Sequence, residues 1–269
     1  MVAFGAVRSC GVTSSALVLA CGWPGCRSLE RNVVLAECDP AGGSLAARLG
    51  LAPEPGLVSL AAAARRRAEP GLVLEHCQST SGGPAVLVGP PSGEQSHAAL
   101  ALLAGVLGHL GDLEGDVLVD CGRLDPSSPV LGVFASAGLS VLLVRPELAD
   151  LHALAAWLPA HRARIPRLGV VLVGSGPYPP GEVSEALDVE VLGALPHDPP
   201  GAALLATAGA SGRAASRTAL PRAARSLAEG LAARLAGEPG DSAVPVVEGR
   251  RRGSARSPAE TASAKGVAR

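Results

Sequence analysis

Residues 2–21 read VAFGAVRSCGVTSSALVLAC, and three kinds of text follow one another within them. Val2 to Val7 is a short apolar run, Arg8 to Ser15 is a turn of small and polar residues around Gly11, and Ser14 to Cys21 is apolar again over helical length. A short run that is apolar throughout is what a parallel strand buried on both faces requires. The succession therefore predicts a strand that turns tightly into the start of a helix. Small residues in such a turn let backbone N–H groups face inward, and the helix start adds partial positive charge, so the segment suits an anion such as phosphate. Taken alone it is also the text of an ordinary strand-to-helix connection.

The same alternation runs down the chain. Further strands are predicted at Val33 to Ala36, Ala85 to Val88, Val117 to Val119, Ser140 to Val144, Leu168 to Val173 and Val191 to Leu195. Helical segments are predicted near Ser44 to Leu49, Leu57 to Arg67, Gln95 to His109, Ala149 to His161 and Gly181 to Leu187. Short apolar strands separated by Ala/Leu-rich helices specify an α/β fold, a mostly parallel sheet flanked by helices. A last helix begins near Pro221, and Leu220, Leu227, Leu231 and Leu235 give it one apolar face. Beyond Gly237 the text turns to Gly, Ser, Pro, Glu and Arg, too poor in large apolar groups to offset its ordering entropy. The expected organisation is one domain over residues 1–236 and a disordered, Arg-rich tail over 237–269. No internal repeat is visible.

Composition narrows the chemistry. Of 23 Lys and Arg residues only Lys265 is a lysine, so within the domain no Schiff base can form and no phosphate loop carries a lysine. Two Trp, one Tyr and two Phe leave the core to Ala, Val and Leu. A net charge of −1 exerts no global pull toward nucleic acid or membrane. The six cysteines, at 10, 21, 26, 38, 77 and 121, form no C-x-x-C and read as reduced thiols of a cytoplasmic protein. Val18-Leu19-Ala20-Cys21 has the outline of a lipoprotein cleavage box, but Thr13, Ser14 and Ser15 interrupt the apolar run before it. The six histidines lack metal spacing. The strand ends carry the remaining chemistry, because ligands of open α/β sheets bind there. Glu37-Cys38-Asp39-Pro40 brings two carboxylates to the tip of the second strand, and Val117-Leu118-Val119-Asp120 brings an Asp suited to a hydrated Mg²⁺. Each alone also reads as a cap or turn residue.

Together, in this order, these ends resemble the MinD/ParA group of deviant P-loop ATPases. There a first strand runs into K-G-G-x-G-K-[ST], a second ends in D-x-D, and a later one ends in the Asp that opens switch II. Alignment on Gly11-Val12 puts Ser9 at the signature lysine, Thr13 at the last glycine, Ser14 at the phosphate lysine and Ser15 at the magnesium hydroxyl, with Cys10 inside the loop. Glu37-Cys38-Asp39 is similar to D-x-D and Asp120 to the switch II Asp. Val141 to Pro146 and Val170 to Val173 continue the similarity. Leu192-Gly193-Ala194-Leu195-Pro196-His197-Asp198 resembles V-L-G-x-I-P-x-D, which implies that Pro196 and Asp198 lie near an adenine.

Both family lysines are serines here, and the Asn that often follows the sixth strand is Gly174. Gly11-Val12-Thr13-Ser14-Ser15 is most similar to the G-V-G-x-S of the CpaE/TadZ-like branch, whose phosphate loops also lack that lysine. The resemblance implies ATP with Mg²⁺, the metal shared by Ser15 directly and Asp120 through water, and Asp39 positioning the attacking water. It implies a homodimer that presents a surface to a protein partner in chromosome or plasmid partition, or in placing a secretion or pilus apparatus. Loss of a preorganised donor of charge costs on the order of 10²–10³ in rate, so hydrolysis is expected to be weak or absent. The alternative is a pseudo-ATPase scaffold that no longer takes nucleotide. Arg8, Arg123 and Arg145 stand next to the strand ends as substitute cations or as carboxylate-paired arginines. Arg65-Arg66-Arg67 suits a helix C-terminus. The tail carries Arg250, Arg251, Arg252, Arg256, Lys265 and Arg269 against Glu260, a pattern that suits nucleic-acid phosphates as well as simple solubility. Glu248 to Arg269 has no large apolar anchors, so no membrane anchor is expected.

Overall fold

The computed structural model describes residues 1–26, 32–67, 71–208 and 218–237, with the backbone alone for 204–208. The Arg-rich tail, and the expectation that it is disordered, fall outside the described residues. Seven strands form: β1 (Val2–Ala6), β2 (Val33–Glu37), β3 (Ala85–Leu87), β4 (Asp116–Arg123), β5 (Leu139–Val144), β6 (Leu168–Val173) and β7 (Glu190–Leu195). All seven are parallel, in one sheet of order β3-β2-β4-β1-β5-β6-β7. The continuous apolar text has its cause in burial on both faces, since β1, β2 and β5 are buried along their whole length.

The helices are α1 (Val12–Gly22), α2 (Leu45–Leu49), α3 (Leu57–Ala64), α4 (Leu72–Glu75), α5 (Gly93–Leu107), α6 (Leu131–Ser136), α7 (Leu148–His161), α8 (Pro180–Leu187), α9 (Pro199–Ala208) and α10 (Ala219–Ala236). They form two apolar layers. On one face Leu17 and Leu19 of α1 and Leu227 and Leu231 of α10 pack over Val2, Phe4, Leu35 and Val141. On the other, Leu57, Leu60, Leu100, Leu103, Phe134 and Trp157 pack over Ala3, Val34, Leu142 and Val170. Period-two alternation thus survives inside strands whose text shows none: Val2 and Phe4 serve one layer and Ala3 the other. Val18, Leu19 and Ala20, the outline of a cleavage box, are buried in α1.

The short helices α4, α6 and α9 are absent from the sequence reading, being too brief or too Ala/Pro-rich to show a period. Ser92 caps α5, its hydroxyl accepting the Gln95 N–H at 3.4 Å, so that helix starts at Gly93 rather than Gln95. β4 also runs past its predicted end, so Asp120 lies inside the strand and not at its tip. The sheet order explains where a ligand can sit. β1 lies between β4 and β5; the chain leaves it for β2 on one side and later crosses to β5 on the other. That reversal opens a crevice at the C-terminal ends of the strands, with the β1–α1 loop in it.

Candidate functional site

The β1–α1 turn is made at Gly11, which stands in the left-handed region at φ 92°, ψ 43° as the cap of α1. A residue with a Cβ is strained there. The Gly11 carbonyl accepts the Ser15 N–H at 2.9 Å and so begins the helix. Cys10 is buried and donates its thiol to the Leu143 carbonyl at 3.3 Å, tying the loop to β5. Burial pushes that thiol up to about 12, so it is a packing group rather than a nucleophile near neutral pH. Val12 and Ser15 are buried, Ser9 is exposed, and Thr13 and Ser14 are half-buried.

This one loop walls two clefts. The first, of about 270 Å³, is lined by residues 8–14 with Asp39, Ser44, Arg48, Gly122 and Arg123. The second, of about 250 Å³, is lined by Cys10, Gly11, Ser14 and Ser15 together with Arg145, Pro196, His197 and Asp198. The structure therefore brings the predicted loop residues together with Asp39 on one side and with Pro196 and Asp198 on the other. Asp198 Oδ1 accepts the Gly201 N–H at 2.9 Å, so its carboxylate also caps the start of α9.

The carboxylates divide by environment. Asp39 Oδ1 accepts the Ala41 N–H at 2.8 Å. Burial raises its carboxyl above the usual range, opposed by that N–H and by the charge of Arg123. Gly122, at φ +57°, gives it room: a Cβ there would stand 2.1 Å from Asp39 Cγ. Asp120 is fully buried. Its Oδ1 accepts the Gly122 N–H at 2.9 Å, whereas its Oδ2 accepts no hydrogen bond in the protein. Desolvation pushes its carboxyl up to about 7, against the Gly122 N–H and the nearby Thr13 hydroxyl, which favours the ionised form without closing a bond on Oδ2.

Glu37 corrects the sequence reading of two carboxylates at one tip. Its side chain is buried and turned to its own loops. Oε1 accepts the N–H groups of Ser44 at 2.6 Å and Leu45 at 2.9 Å, and Oε2 accepts that of Gly89 at 3.0 Å. Burial raises its carboxyl, opposed by these three donors and reinforced by the charge of Asp39. Asp39 alone of the pair reaches the cleft.

The arginines also sort themselves. Arg8 Nε lies 3.1 Å and Arg145 Nη1 4.0 Å from the carboxylate of Asp150, so both predicted substitutes share one counter-ion. Arg123 sets its charge beside Asp39. Arg48, which the sequence reading passed over, donates from Nη2 to Ser14 Oγ at 3.1 Å. His197, left unassigned, lines the second cleft. No local pattern marks Arg48, which owes its place to strand order, whereas His197 sits at the variable position of the 192–198 stretch, between Pro196 and Asp198.

Among the described residues no group of three or more His, Cys, Asp and Glu is placed to hold a metal. Mg²⁺ at a phosphate site asks for less, one or two protein oxygens with water and phosphate supplying the rest. Of the two residues expected to hold it, Asp120 keeps one buried carboxylate oxygen without a partner, which fits a cation, and Ser15 lines the second cleft. Among the described residues no helix is long and apolar enough to cross a membrane.

No protein-family model matches the chain, and no curated protein sequence does. Solved structures do. The cell-division ATPase MinD of Pyrococcus furiosus superposes with a TM-score of 0.68 at 20% identity, over 85% of this chain and 96% of that one. A ParA-family ATPase from Chlorobium tepidum gives 0.68 at 15% identity, over 86% and 98%. The septum site-determining protein MinD of Pyrococcus horikoshii, complexed with Mg-ADP, gives 0.65 at 18% identity, over 88% and 96%. The chain has the MinD/ParA fold, a seven-stranded parallel sheet flanked by helices.

Proposed function

We propose that this chain is a nucleotide switch of the MinD/ParA kind, nearest the CpaE/TadZ-like branch. ATP binds across the β1–α1 loop and favours a face-to-face homodimer, which presents a surface to a protein partner. The dimer serves spatial organisation of cargo, as in chromosome or plasmid partition or the placing of a secretion or pilus apparatus. The observation that carries this reading is the pair of clefts walled by one helix-capping loop, with Asp39 in one and Pro196 and Asp198 in the other. Phosphate suits the loop because the start of α1 directs backbone N–H groups and partial positive charge at it. The neighbour solved with Mg-ADP supports nucleotide as the ligand.

Ser15 and Asp120 are the residues that would hold Mg²⁺, which supplies charge neutralisation to the phosphate chain. Asp120 would take part through its Oδ2, which has no hydrogen-bond partner in the protein. Asp39 stands in the cleft as an oriented carboxylate and is the group that positions water for attack on the terminal phosphorus, with ADP leaving. Without a lysine in the loop, turnover is slow or nil while binding persists.

Calorimetry of the full chain with Mg-ATP tests the reading. Micromolar binding, with a doubling of mass in sedimentation, is the expected outcome. No heat at millimolar nucleotide would leave a scaffold that keeps the fold and has lost the ligand. In single-turnover phosphate release, any wild-type signal should disappear in Asp39→Ala while binding is retained.

A further inference from the structure

We infer that Arg48 is the cation that clamps the phosphate chain, replacing from a neighbouring helix the charge that the loop itself lacks. The inference rests on the nucleotide reading above. Ser14 is the loop residue at which a lysine is missing, and its hydroxyl is where the Arg48 guanidinium docks, 3.1 Å from Nη2. Both side chains line the same cleft of about 270 Å³, as does Asp39. Three other arginines border the two clefts, and their charges are differently disposed. Arg8 and Arg145 share Asp150, Arg123 is set against Asp39, and Arg48 has no carboxylate partner among the described residues.

The chemistry fits phosphate. A guanidinium presents five donors in a planar fork, of which the Ser14 contact occupies one nitrogen, leaving the others free to face oxygens bidentately. The position of Arg48 is fixed by the backbone rather than by its own contacts. It lies in α2, whose first turn is held by the Ser44 and Leu45 N–H groups on the buried Glu37 carboxylate. Glu37 thus acts as a positioning residue for the clamp. An Arg in α2, docked on a Ser of the loop, thus brings one positive charge to a cleft whose loop has no lysine of its own.

The test is Mg-ATP calorimetry on the full chain, with adenosine as the phosphate-free probe, at two salt concentrations. Arg48→Ala should weaken Mg-ATP roughly 10- to 100-fold, the loss of a charge-assisted contact. Adenosine binding and the melting temperature should be unmoved, and the salt dependence of Mg-ATP binding should flatten because an exposed charge has gone. Arg48→Gln, which keeps the side-chain length, should show the same loss. Adding Ser14→Lys to Arg48→Ala should restore Mg-ATP affinity. Equal Mg-ATP affinity in wild type and Arg48→Ala overturns the inference alone, as does a loss that affects adenosine equally. A wild type that takes no Mg-ATP removes the nucleotide reading and this inference with it.

Discussion

At Asp120 one carboxylate is treated in two ways. Oδ1 is satisfied by the Gly122 N–H and Oδ2 by nothing in the protein, in a residue that is wholly buried. Such an oxygen costs free energy unless a proton or a cation meets it. In the metal-free protein a proton does so below about pH 7, and this fixes the sign of the pH dependence. The folded carboxyl titrates near 7, above its unfolded value of 3.8. Between those values the native state binds more protons than the unfolded state, so this group's contribution falls as pH rises from about 4 to 7. Asp120→Asn keeps the Oδ1 acceptor and removes the charge. In thermal melts with chelator, it should stabilise the protein at pH 8 by about 1–3 kcal/mol, a few degrees, with little difference at pH 4. A variant that gains equally at both pH values would show that the carboxylate is not the source. With Mg-ATP present the same substitution should weaken binding.

Elements, rather than single residues, place the cation. The link from β2 to α2 depends on Glu37, which gathers three backbone N–H groups from two loops. Glu37→Gln offers one amide NH₂ where the carboxylate offered a second acceptor, so the Gly89 N–H, or the Ser44 and Leu45 pair, is left facing a donor. Stability should fall by about 1–3 kcal/mol in denaturant titrations. Nucleotide affinity should fall with it, because Arg48 moves with α2. Loss of stability with unchanged affinity would separate α2 from the site. The strands and long helices were legible in the sequence because continuous apolar runs and helical spacing repeat over many residues. Leu220, Leu227 and Leu231 are buried in α10 as the spacing demands. The role of Glu37 was not legible, because an acidic residue at a strand end reads as exposed and ligand-facing. Its actual partners lie 7, 8 and 52 residues away.

On the scale of the whole molecule, the site belongs to the sheet order. The order β2-β4-β1 brings Asp39, just past the end of β2, beside the β1–α1 loop with Asp120 inside β4 between them, and the order β1-β5-β6-β7 puts residues 196–198 across the same loop. A ligand that bridges these ends ties together segments far apart in the chain and should stabilise the fold as a unit. At 100 times its dissociation constant, Mg-ATP should add about 2.7 kcal/mol, roughly 5–10 °C in Tm. Scanning calorimetry should show one transition moving as a whole. A shift confined to part of the transition would mean that the loop is not integral to the fold.

The sequence by itself determined the α/β class, the parallel strands, the tight strand-to-helix turn over Arg8 to Ser15 and the absence of lysine from it. Those properties are local, written in runs and periods of neighbouring residues. Only the tertiary structure decided that Glu37 is spent on backbone donors, that Arg8 and Arg145 share Asp150, and that Arg48 meets Ser14. These depend on which strands lie side by side, and that is settled by packing both apolar layers at once rather than by any one segment.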